Sequence, residues 1–326
     1  MENKSRPLVT IENLKKYYKE AGRQTIKAVD GINLSIMSGQ TLGIVGESGC
    51  GKSTLGRQIV ALEKPTQGTI TYDGMNLTKM NQRSLQKIRT KIQMVFQDPH
   101  SSLNPRKNIH DILAEPMLYH KIVNRHNVDN EIKKLLTLVG IPSKAAYKYP
   151  HEFSGGQRQR IGIAKALSLK AELIVCDEPV SALDVSVQAQ VLNLLKDIQA
   201  ETNITYVFIG HGLGAVNYMS DRIAVMYLGK IVEEGPAYEV FANPLHPYSK
   251  ALFDASPVPD PNKRDRERIV LKGEAVKKVS EGACTFYDRC PYATEACLNK
   301  EDIMTADAVE TTHYATCHMG GTDRNV

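Results

Sequence analysis

An α/β fold built on a mostly parallel sheet with both faces covered is the architecture this chain predicts, and three observations carry it. Strand-like and helical patterns alternate from Ser154 to Tyr227, as βαβ units require. Thr41 to Val45 is apolar enough for a buried central strand. It runs straight into G-E-S-G-C-G-K-S-T, a strand–loop–helix with the spacing of a phosphate-binding loop. The 326 residues, 42% hydrophobic, exceed the roughly 250 to 300 at which one core stops growing, so a second, smaller unit is expected.

The elements follow in order. Leu8–Ile11, Ala28–Ile36, Thr41–Val45 and Thr69–Tyr72 read as strands, the last after the turn at 65–68. Between Asn127 and Leu138 the apolar residues Val128, Ile132, Leu135 and Leu136 recur at helical spacing, which predicts a helical insertion ahead of S-G-G-Q at Ser154. A helix to about Leu169 follows, then strand Leu173–Cys176, helix Val185–Glu201, and strands Thr205–Ile209 and Ile223–Tyr227. Past Pro244 the character changes, and after Asn243 to Tyr248 comes a Pro-, Lys- and Arg-rich stretch from Pro257 to Lys278 that reads as a linker. The expected organisation is a nucleotide-binding domain over 1–243 with a helical subdomain at about 98–169, a linker region over 244–283 and a cysteine-rich module over 284–326.

Composition excludes several classes of function. A net charge of +5, with the signs interspersed, gives no support to a nucleic-acid partner. No stretch approaches the roughly 18 apolar residues of a membrane helix, and M-E-N-K-S-R-P-L lacks an apolar signal region, so a cytoplasmic chain is expected. Six cysteines in a reducing compartment are not expected to form disulfides. Cys50 and Cys176 read as small buried residues.

The loop residues Gly46, Glu47, Ser48, Gly49, Cys50, Gly51, Lys52, Ser53 and Thr54 would wrap a triphosphate. Backbone N–H groups and the helix dipole favour the anion, Lys52 would reach the β- and γ-phosphates, and Ser53 would offer its hydroxyl to Mg²⁺. An Asp-Glu pair at a strand end is more often a helix cap, but the phosphate loop reverses that prior. Asp177 would hold Mg²⁺, and Glu178 would act as general base toward the attacking water. Gln97 and His211, each a lone polar residue after a strand, would stand on the same sheet edge. There Gln97 would sense Mg²⁺ and the water, and His211 would bond the γ-phosphate.

These residues resemble the nucleotide-binding subunits of ATP-binding-cassette transporters over about Val9 to Gly235. The resemblance implies a RecA-like core with an antiparallel β subdomain and a helical subdomain. It also implies that Tyr17, with Tyr18 beside it, stacks on adenine, and that Gln97 contacts the membrane subunits. Ser154, Gly155, Gly156 and Gln157 form the signature that grips the partner's γ-phosphate, and Asp184 links the two sites. One loop and one signature per chain imply a second ATPase subunit, expected to make a heterodimer. Two transmembrane permease subunits and an extracytoplasmic substrate-binding protein complete the assembly, with this chain peripheral on the cytoplasmic face of the membrane.

D-P-H-S-S-L-N-P-R at Asp98 and H-P-Y-S-K-A-L at His246 look like the dipeptide and oligopeptide importer branch, which also includes nickel and glutathione importers. Cys284, Cys290, Cys297 and Cys317, spaced C-x5-C-x6-C-x19-C, are similar to the segment that holds a [4Fe-4S] cluster in some members. Zinc is the alternative, disfavoured because the usual C-x2-4-C pair is missing. A C-terminal metal-binding extension is therefore expected, in a structural or a redox-sensing role.

Two departures stand out. Gly210-His211-Gly212 replaces the family's Ser-His-Asp, which predicts slower hydrolysis here than at the partner's site. The segment 273–282 is poorer in proline than the family's linker. A soluble cassette ATPase acting on DNA or ribosomes is the competing class, but the stretch between Gln97 and Ser154 is too short for the coiled-coil insertion such proteins carry.

Overall fold

The computed structural model describes residues 6–19, 25–98, 102–255, 283–298, 305–306 and 312–317. In chain order the strands are β1 (Pro7–Tyr18), β2 (Ile26–Met37), β3 (Thr41–Val45), β4 (Gln67–Tyr72), β5 (Met75–Asn76), β6 (Ile92–Val95), β7 (Leu173–Asp177), β8 (Thr205–Ile209), β9 (Arg222–Tyr227), β10 (Lys230–Pro236), β11 (Thr305–Ala306) and β12 (Tyr314–Ala315). The helices are α1 (Lys52–Ile59), α2 (Gln82–Ile88), α3 (Ile109–Tyr119), α4 (Val128–Leu138), α5 (Gly155–Leu167), α6 (Val185–Thr202), α7 (Leu213–Met219), α8 (Ala237–Ala242) and α9 (Pro247–Asp254).

The main sheet runs β11-β12-β10-β9-β3-β8-β7-β6. Its five strands from β9 to β6 are mutually parallel, and β10 and β12 add antiparallel at the far side. Strands β3, β7 and β8 are buried at every residue, which explains their unbroken apolar runs. Alternation along β7 builds two cores. Leu173 and Val175 join the one shared with the antiparallel sheet, while Ile174 and Cys176 join the one shared with α3 to α6. Both faces are thus covered, as expected, and Cys50 and Cys176 are buried.

A second sheet, β2-β1-β4-β5, is antiparallel. The first strand is longer than its apolar pattern implied. Glu12 and Asn13 break the alternation at a register shift where Asn13 adopts a φ of 43°, and pairing with β2 resumes beyond it.

At the head of the region 244–283 the chain forms a buried helix, α9: His246 Nδ1 accepts from the Tyr248 N–H at 3.0 Å, Pro247 occupies the first turn, and Tyr248 is fully buried. The Pro-, Lys- and Arg-rich stretch and the segment 273–282 lie outside the described residues. Among the described residues, no helix is long and apolar enough to cross a membrane.

Candidate active site

The phosphate loop hangs between β3 and α1, and two of its glycines are dictated by close approach. Gly46 has φ 154°, and a Cβ there would sit 2.1 Å from the Met226 carbonyl oxygen; at Gly51, with φ 109°, it would sit 2.0 Å from that of Ala28. Such positions admit no side chain. Lys52 is buried, its Nζ donating to the carbonyls of Gly46 (2.8 Å) and Glu47 (2.9 Å). Its charge therefore lies within the loop curve, where a phosphate would be bound.

Ser53 Oγ donates to Asp177 Oδ1 at 2.9 Å, joining the loop to the end of β7. Burial pushes the Asp177 carboxyl up; the Ser53 hydrogen bond opposes this and the neighbouring Glu178 charge adds to it. A divalent cation there would restore the ionised form, so this hydroxyl–carboxylate pair fits Mg²⁺.

One residue further on, Glu178 adopts a left-handed φ of 49°, with its N–H bonded to the Ile209 carbonyl at 2.9 Å. Strained backbone of this kind persists where the surroundings over-determine it. Its Oε2 accepts from Gln97 Nε2 at 2.8 Å and lies 3.2 Å from His211 Nδ1. Gln97, Glu178 and His211 arrive from three separate strand ends and converge on one carboxylate oxygen. The His211 side chain is 61% exposed, against 17% for that of Glu178.

Ser154 and Gln157 form a reciprocal cap on α5: Gln157 N–H donates to Ser154 Oγ (3.3 Å), and Ser154 N–H donates to Gln157 Oε1 (3.0 Å). At Gly156 a Cβ would meet Val187 Cγ1 at 2.3 Å, so α5 packs tightly on α6. Asp184 precedes α6 without capping it through its side chain. Tyr17 donates to Asp30 Oδ1 at 2.5 Å beneath the Lys27 ammonium, whereas Tyr18 donates to Glu63 Oε1 at 2.6 Å.

Sequence reasoning missed the residues that hold the loop from outside. The Glu47 N–H donates to Tyr248 Oη at 2.9 Å, and its carboxylate forms a two-pronged ion pair with Arg289 at 2.9 and 3.0 Å. In the same C-terminal segment, burial and the thiols of Cys317, Cys284 and Cys297 push the Cys290 thiol up to about 11, against a backbone hydrogen bond from Tyr292 that lowers it. Among the described residues, however, no three His, Cys, Asp or Glu side chains converge to hold a metal ion. The expected metal-binding extension is therefore not seen as one.

Comparisons with known proteins place this geometry. Residues 29–181 match the ABC transporter family model, and residues 232–297 match that of the oligopeptide/dipeptide transporter C-terminal region. The putative oligopeptide transport ATP-binding protein YkfD of Bacillus subtilis is 48% identical over 316 residues, covering 96% of this chain and 95% of its own. The oligopeptide transport ATP-binding protein OppF of Salmonella typhimurium is 47% identical over 308 residues, covering 91% and 92%. Among solved structures, the ATP-binding cassette MJ0796, as a dimer in a post-hydrolysis state bound to ADP and Pi, is similar with a TM-score of 0.65 and 29% identity. That match covers 70% of this chain and 98% of the cassette. A carboxylate, an amide and an imidazole gathered from three strand ends, with relatives of this identity along nearly its whole length, make this chain an ATPase that belongs to the ATP-binding subunits of ABC transporters, in the oligopeptide/dipeptide branch.

Proposed function

We propose that this chain powers the import of di- and oligopeptides, and that Glu178 is the general base of its ATPase cycle. The carrying observation is the convergence of Gln97 and His211 on Glu178 beside the Ser53–Asp177 pair. Lys52 and the loop N–H groups bind the β- and γ-phosphates, and Ser53 and Asp177 hold Mg²⁺, which neutralises developing charge when bound. Glu178 takes the proton of a water aligned by Gln97, and His211 bonds the γ-phosphate. Tyr17 stacks on adenine. Ser154, Gly155, Gly156 and Gln157 grip the ATP of a second ATPase subunit, with Asp184 at the seam between the sites. ATP closes the pair and hydrolysis reopens it.

The remaining partners are two permease subunits and an extracytoplasmic binding protein that selects the peptide, with this chain on the cytoplasmic face of the membrane. A cleft of about 180 Å³ lined by Arg89, Gln93, Gln159, Lys165 and Phe96, the residue before Gln97, supports permease docking there. For the C-terminal segment the reading is a [4Fe-4S] cluster on Cys284, Cys290, Cys297 and Cys317, supported by the influence of the other three thiols on Cys290. Iron and sulfide content of anaerobically purified protein tests it, and zinc in their place would replace it.

Uptake of labelled di- and oligopeptides, with nickel and glutathione alongside, is the direct test, in cells carrying the native chain or Glu178→Gln. Loss of peptide uptake is expected. Loss of nickel or glutathione uptake instead would keep the mechanism and change the cargo, and unchanged uptake of all would remove the transport reading.

A further inference from the structure

Glu47 is the acidic residue of the loop Gly46–Thr54, where its carboxylate would oppose a triphosphate of like charge. Its surroundings deal with that charge from outside the loop. The Arg289 guanidinium spans both carboxylate oxygens, Nη1 to Oε2 at 2.9 Å and Nη2 to Oε1 at 3.0 Å, with side chains only 10% and 31% exposed. Such a fork fixes orientation as well as charge. The arginine is itself held, with Nη1 3.4 Å from Tyr227 Oη and Cζ 5.9 Å from that ring's centroid.

A second route converges on the same residue. The Tyr248 hydroxyl accepts from the Glu47 N–H, and the Tyr248 ring packs on Tyr227 at 4.6 Å and on Phe286 at 5.5 Å. Phe286 accepts, through its carbonyl, the Arg289 N–H at 3.1 Å. One turn of the C-terminal segment thus supplies both the arginine and the aromatic ring that brace the loop.

We propose that Arg289 is a positioning residue for the ATPase, holding and neutralising Glu47 so that the phosphate loop meets the triphosphate without a competing anion. Arg289 acts through Glu47, which it binds from outside the loop, so its effect falls on ATP affinity and not on the chemical step. It also gives the C-terminal segment a direct grip on nucleotide binding.

The test uses the full-length chain and the assembled transporter. MgATP affinity, read by displacement of a fluorescent ATP analogue, is expected to fall about two- to fivefold in Arg289→Ala, the upper range of a partly exposed ion pair. The loss should shrink as salt is raised. Arg289→Lys keeps the charge without the fork and should lose less. The double variant Glu47→Gln with Arg289→Ala should recover most of the affinity, because the uncompensated charge has gone. In the transporter, KM for ATP should rise with kcat nearly unchanged. Native affinity in Arg289→Ala, or a double variant as weak as the single one while both melt like the native chain, overturns the proposal. If Arg289→Ala does not fold, Arg289→Lys against the double variant decides by the same comparison.

Discussion

Gln97 Nε2 donates to Glu178 Oε2 across 2.8 Å, although 81 positions separate the two residues in sequence. The amide and the carboxylate can only meet because β6 and β7 are parallel neighbours, with Val95 level with Cys176, so that both residues leave the sheet at one edge. Replacing Glu178 by Gln should cut phosphate release by about 10²- to 10⁴-fold while MgATP still binds. Gln97→Ala should cost about tenfold, the worth of one hydrogen bond to a charged group. Turnover and binding measured on the same preparations separate the two effects.

Gly46→Ala should abolish ATP binding, because its Cβ would press on the Met226 carbonyl, which is main chain of β9 and cannot yield. Gly49 has φ 78° but nothing within 4 Å of its Cβ position. Gly49→Ala should therefore cost only the left-handed backbone penalty, about 1 to 2 kcal/mol of stability. Thermal denaturation with and without MgATP distinguishes the variants.

Ser154→Ala removes half of the reciprocal cap with Gln157 and should lower stability by about 1 kcal/mol. If Ser154 also grips the partner's nucleotide, ATP-driven subunit pairing should fall further than that loss accounts for. Denaturation and analytical ultracentrifugation of the same protein read the two quantities.

Burial holds the His246 imidazole down at about 4, with the nearby Glu233 carboxylate opposing the shift. Above pH 6.5 the ring is neutral in folded and unfolded chains alike, and its contribution is constant. As pH falls from 6.5 toward 4 the unfolded chain takes up a proton that the native chain refuses, so stability drops, by up to about 3 kcal/mol. His246→Asn, which can still cap α9, should lose this component. Urea denaturation at pH 7 and pH 5 on both proteins measures the difference.

The two glycines flanking His211 leave its ring largely exposed. This site should turn over more slowly than its partner's, so Glu178→Gln should reduce transporter ATPase activity less than the matching change in the other subunit. Equal losses would contradict it.

The nucleotide site was legible because its chemistry is written in contiguous stretches: Gly46–Thr54, Asp177–Glu178 and Ser154–Gln157 each carry their meaning within one loop or turn. The parallel strands were legible because burial on both faces leaves an unbroken apolar run. What escaped reading depends on partners far along the chain. Strand β10 hides behind Glu233 and Glu234, charged residues buried only because Glu233 meets His313 and the Leu245 and His246 N–H groups, while Glu234 meets Arg222. Helix α9 is not announced by any long periodic run, because two prolines mark its start, and the local clue to it is a capping side chain, His246, placed just before a proline. The Glu47–Arg289 pair spans 242 positions, and no local pattern announces it.

The short pairing of β12 with β10, two residues matched at Glu233 and Glu234, has a bearing on how the molecule behaves in a crowded cell. A bare outer strand of a large sheet is a template onto which other chains can stack, and proteins blunt such margins with brief strands, charge or a cover. Here the chain's own tail provides the cover. The margin then passes to β11, only two residues long, which gives an incoming strand almost nothing to grasp. Truncation ahead of the tail would leave an ATPase whose nucleotide loops are intact but whose solubility is compromised.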